Sequence, residues 1–61
     1  MKIEALTSKL LKERTGETLP EFIKRLSDEG ADLYSVQANL AIATGEIFDR
    51  RMVIKWMDTY Q

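Results

Sequence analysis

At 61 residues the chain is expected to form a single helical domain, residues 1–61, near the lower end of what folds unaided and too small to enclose a deep active site. It holds no Cys and no His, which excludes disulfides, thiolate and imidazole metal sites, nucleophilic cysteine and histidine acid–base chemistry. A composition of 44% hydrophobic and 31% charged residues with a net charge of −1 is that of a globular domain and not a disordered tail; no enzymatic activity, cofactor, metal or small-molecule substrate is expected.

The first element is predicted from Lys2 to Thr15, where Ile3, Leu6, Leu10 and Leu11 recur at helical spacing and Lys9 and Glu13 form an ordinary i, i+4 pair. Gly16 follows as a stop. In "TLPE", Thr18 and Glu21 have capping-box spacing and Pro20 falls in a first turn, so a second helix is predicted from Leu19 to about Glu29. Its inward face is Leu19, Phe22, Ile23 and Leu26, and Gly30 ends it.

A third helix is predicted from Asp32 or Ser35 to Thr44, with Leu33, Val36, Leu40 and Ala43 in one stripe. Ala38, Ala41 and Ile42 make it apolar over most of its circumference, as in a helix that is central or contacts a partner. Asp49 is a competent N-cap for a fourth helix running toward Tyr60, whose packing face is Met52, Val53, Trp56 and Tyr60. No segment alternates with period two, so the expected fold is all-α, a compact bundle of about four short helices. No apolar run approaches the ~18 residues that span a bilayer, and the start lacks a signal peptide's apolar core, so a cytoplasmic location with no membrane contact is expected.

Helices three and four have the parts of a helix-turn-helix. Ala41 is a small residue for close approach, Gly45 a turn, Val53 and Trp56 a docking pair, and Arg50, Arg51 and Lys55 a cationic remainder. Over Ser35 to Tyr60 the chain resembles the short Cro-like and excisionase-like helix-turn-helix regulators of phages and bacteria. Gly45 and Val53 stand eight positions apart, longer than in the commonest form of that motif, so "GEIFD" has to be an extended turn.

The resemblance implies a DNA-binding regulator whose recognition helix spans residues 49–60. Arg50, Arg51, Lys55 and Ile54 would then face the major groove, and Gln37, at the start of the first motif helix, would touch a phosphate. Arginine suits the task because its guanidinium forms bidentate pairs with guanine. A solvated helix face is the competing account of the same cations. Two arginines in a first turn oppose the helix dipole, which favours a functional reason for them.

One recognition helix offers few base contacts, so a homodimer on double-stranded DNA is expected, with Ile42, Ile47 and Met57 as surplus apolar residues for its interface. Charge distribution supports another function. Residues 26–49 carry five acidic and no basic side chains, as a small inhibitor or adaptor docking on a basic surface of a host protein would. An oligomerising structural domain is the third class.

Overall fold

The computed structural model describes residues 3–60 and consists of four helices: α1 (Ile3–Thr15), α2 (Leu19–Asp28), α3 (Leu33–Thr44) and α4 (Arg50–Thr59). Among the described residues there is no strand. The expected start at Lys2 lies outside them. α1 packs on α2 and α3, and α4 on α2 and α3, so each helix closes part of one shared core.

The helix limits follow from local chemistry. Thr18 accepts a hydrogen bond from the Glu21 backbone N–H, while the Glu21 carboxylate accepts one from the Thr18 N–H at 2.9 Å, completing the capping box. At the other end of α2, Ala31 N–H donates to Leu26 O and Gly30 N–H to Ser27 O, both at 3.0 Å. This Schellman pattern needs a left-handed residue, and Gly30 supplies it with φ 82°. Asp32 caps α3 by accepting from Ser35 N–H at 2.8 Å.

Hydrogen bonds from Thr18, from its backbone first and its hydroxyl second, hold the Glu21 carboxyl below the ordinary glutamate range. A depressed folded value means that the box contributes stability above the ordinary glutamate pKa and loses it as pH falls through the depressed one. Thermal unfolding of Glu21→Gln should therefore fall below the parent near neutrality and converge with it in acid. A gap that persists below the carboxylate range would mean that the charge plays no part in the cap.

The core consists of Leu11, Leu19, Phe22, Ile23, Leu26, Val36, Leu40, Phe48, Val53 and Trp56. The inward face predicted for α2 is fully buried, and the α3 stripe is Val36 and Leu40 flanked by Leu33 and Ala43. Ala43 is the small α3 residue that packs against the core; Ala41, expected to have that place, is only half-buried.

α1 departs most from expectation. Its buried face is Thr7 and Leu11, whereas Ile3 and Leu6 are 48% and 50% exposed. Thr7 can be buried because its hydroxyl donates to Ile3 O at 2.8 Å, leaving no unpaired polar group. Ser8, on the same side, accepts the Leu19 N–H at 3.0 Å and so ties α1 to the start of α2. The expected Lys9–Glu13 pair is absent: the ion pairs among the described residues are Lys24–Asp28, Arg25–Glu17 and Arg25–Glu29.

Candidate nucleic-acid interface

The geometry of α4 is set by the five residues before it. α3 closes at Gly45, whose φ of 77° turns the chain out of the helix while its N–H still donates to Ala41 O at 2.8 Å. Thr44, buried beside it, donates its hydroxyl to Leu40 O at 2.7 Å and accepts the Glu46 N–H at 3.2 Å. Arg14 reaches from α1 to the same helix end, its Nη1 donating to Ala43 O at 3.4 Å. There a cation complements the negative end of the α3 dipole.

Phe48 then drops into the core, 6% exposed, with its ring edge-on to Trp56 at 5.4 Å and 64°. The Phe48 carbonyl accepts a 2.8 Å hydrogen bond from Gln37 Nε2. The "GEIFD" segment is thus a pinned turn, held by one buried ring and one side-chain amide from α3. Asp49 finishes it as N-cap of α4, accepting the Arg51 N–H at 2.7 Å.

This placement divides α4 into two faces. Val53 and Trp56 are buried, and Met52, Met57 and Tyr60 pack against the core. Arg50, Arg51, Ile54, Lys55 and Asp58 recur at helical spacing on the outer side and are all exposed, Ile54 at 49%. Arg50 and Arg51 line one surface concavity together with Gln37, Asp49 and Tyr34. Tyr34, 65% exposed at the start of α3, has no counterpart among the sequence-predicted residues. Its place in the first turn of α3, one turn before Gln37, is the signal that could have found it.

Ile54 and Lys55 do not line that concavity. Lys55 instead borders a second depression with Glu4, Thr59 and Tyr60, between the start of α1 and the end of α4. Of the residues proposed for an interface between copies, Ile42 and Ile47 are 84% and 88% exposed, but Met57 is partly buried against the core.

The electrostatics of the two cationic regions differ. On α2, Arg25 is held by Glu17 at 3.0 Å and Glu29 at 3.1 Å, lies 5.3 Å from the Phe22 ring centroid, and has its pKa raised chiefly by the Glu17 hydrogen bonds. Arg50, Arg51 and Lys55 make no ion pair among the described residues. The carboxylates placed beside them are the capping Asp49, Asp58 at the far end of the helix, and Glu4, which shares a depression with Lys55.

Gln37 has a structural duty on this surface, which can be measured. Gln37→Ala should lower stability by about 1 kcal/mol, the net worth of a typical hydrogen bond, read as a lower midpoint in chemical denaturation. An unchanged midpoint would mean that Phe48 packing alone holds the turn.

Among the described residues no group of three or more His, Cys, Asp or Glu is placed to hold a metal ion, and no helix is long and apolar enough to cross a membrane. Comparison of the chain with protein-family models, with curated proteins and with solved structures finds no match.

Proposed function

We propose that the protein is a small DNA-binding regulator that presents α4 to the major groove of double-stranded DNA. The observation that carries this reading is the outer face of α4, where Arg50, Arg51 and Lys55 are exposed and unpaired among the described residues, with Ile54 between them. Two of these cations occupy the first helical turn, where the dipole disfavours them, so their placement is accounted for better by a polyanion than by helix stability. Tyr34 and Gln37 beside them supply neutral hydrogen-bond donors of the kind that position a protein on phosphates. Gln37 has only its carbonyl oxygen and one amide proton to spare, because Nε2 already donates to Phe48 O.

Titration into mixed-sequence duplex DNA at low salt, repeated with added salt, tests the reading. Binding that weakens steeply with salt supports it, since phosphate contacts release counterions. No binding at low salt removes it.

One feature favours a second reading, a protein-binding adaptor or inhibitor. α3 carries no charged residue, yet it exposes Tyr34, Ala38 and Ile42 one helical turn apart. An uncharged, partly apolar stripe of this kind suits a protein partner better than phosphates. Loss of DNA binding together with capture of a defined protein through Ile42 would select it.

A further inference from the structure

We infer that the concavity at the start of α4 reads a G·C base pair in the major groove, with Arg50 or Arg51 donating to guanine and Asp49 accepting from cytosine. The inference rests on the DNA-binding reading and adds to it Asp49 as a residue that sets sequence preference.

The major-groove edge of a G·C pair presents two acceptors on guanine, O6 and N7, beside one donor, the N4 amino group of cytosine. A reader of that edge needs a fork of donors with an acceptor close by. The concavity holds both, since Arg50, Arg51 and Asp49 line it together with Tyr34 and Gln37 of α3. All three charged side chains are exposed, and among the described residues Asp49 forms no ion pair with either arginine. Its Oδ1 accepts the Arg51 N–H at 2.7 Å, which leaves Oδ2 to a ligand. Capping alone does not call for this carboxylate, because asparagine or serine supplies the capping oxygen equally well. In a concavity that held phosphate alone, its negative charge would oppose the two arginines; beside a G·C pair it has a donor to meet.

The neighbouring side chains argue against the other base pair. Adenine is read by a bidentate Asn or Gln, and thymine by apolar contact with its methyl group. Gln37 is half-buried with Nε2 committed to Phe48 O at 2.8 Å, and Ile54 lies outside the concavity. Lys55 lies outside it too, in a separate depression with Glu4, so guanine falls to the arginines. Position along the helix agrees with this assignment. The N-terminal residues of a recognition helix are those that meet base edges, and Asp49, Arg50 and Arg51 are the cap and first two residues of α4.

Fluorescence anisotropy of the full chain at low salt, with two duplexes of equal length built of G·C pairs and of A·T pairs, tests the inference. The parent should prefer the G·C duplex about tenfold or more, the scale of one good bidentate pair. Replacing guanine by 7-deazaguanine, which lacks N7, should remove most of that preference. Asp49→Asn retains the cap and should melt close to the parent, but its amide then sets a donor against the cytosine amino group. Loss of a negative charge favours every duplex alike, so the quantity to read is the ratio of the two affinities, which should fall about fivefold or more. Both affinities rising together at a constant ratio overturns the role of Asp49. Equal affinity of the parent for the two duplexes, or a preference that survives 7-deazaguanine as groove shape would produce, overturns the inference while leaving DNA binding in place. No binding to either duplex removes the DNA-binding reading as well.

Discussion

Changing Arg50, Arg51 and Lys55 together to Gln is expected to lower affinity for duplex DNA at least about 100-fold at low salt while leaving the fold intact. Each phosphate contact contributes about 0.9 to the slope of log affinity against log salt, so loss of three cations should flatten that slope by up to roughly 2.7. An arginine that reads guanine adds about 1–3 kcal/mol of discrimination, so Arg50→Gln or Arg51→Gln alone should also relax sequence preference if that residue reaches a base edge. Thermal stability should move the other way. Removing cations from the first turn of α4 relieves an unfavourable dipole interaction, worth about 0.3–1 kcal/mol for each. A gain in stability with a loss of binding is the pattern of residues retained for function and not for folding. Unchanged DNA affinity in the triple variant would remove α4 as the contact, and lost affinity with lowered stability would reduce the three residues to a structural role.

The net charge of −1 is unevenly distributed, with four of the ten carboxylates engaged around α2. Glu17, Asp28 and Glu29 are engaged with Lys24 and Arg25 around α2, and Glu21 closes the capping box. These acids answer to local partners on another helix. The outer face of α4 carries Arg50, Arg51 and Lys55 against Asp58, with Asp49 at its cap, a local balance that the total charge does not describe.

Much of the architecture was legible from the sequence because its punctuation is local. Thr18, Pro20 and Glu21 start α2, Asp32 and Asp49 cap α3 and α4, and Gly30 and Gly45 close helices, each through contacts within a few residues. What was not legible depends on distant partners. Thr7 reads as polar, yet its hydroxyl is satisfied inside α1, and that allows the Thr7–Leu11 side to turn inward in place of the Ile3–Leu6 side. Phe48 follows Ile47 in the turn with no periodic signal to say which of the two is buried; the packed Trp56 ring and the Gln37 amide identify Phe48 as core, while Ile47 is 88% exposed. For the candidate site, the outward placement of Arg50, Arg51, Ile54 and Lys55 followed from helical spacing. The union of Arg50 and Arg51 with Gln37 and Tyr34 required the pinned turn, whose conformation no spacing rule supplies.

The second large effect is expected at Trp56, where two substitutions should behave in opposite ways. The side chain is 1% exposed and packs edge-on to Phe48, yet its indole Nε1 has no hydrogen-bond partner among the described residues. Trp56→Ala removes the largest fully buried side chain and should cost about 3–5 kcal/mol. A domain of 61 residues has a total stability of about 3–9 kcal/mol at 0.05–0.15 kcal/mol per residue, so this variant should lose at least about a third of its stability, read as a much lower unfolding midpoint by circular dichroism. Trp56→Phe also creates a void, but it deletes a buried N–H whose unpaired state costs about 1–3 kcal/mol. The two terms oppose each other and leave a net change within about 1 kcal/mol, measured by urea denaturation. A loss well above 2 kcal/mol in the phenylalanine variant would show that the indole N–H finds a partner in the folded protein and that the apparent orphan is satisfied.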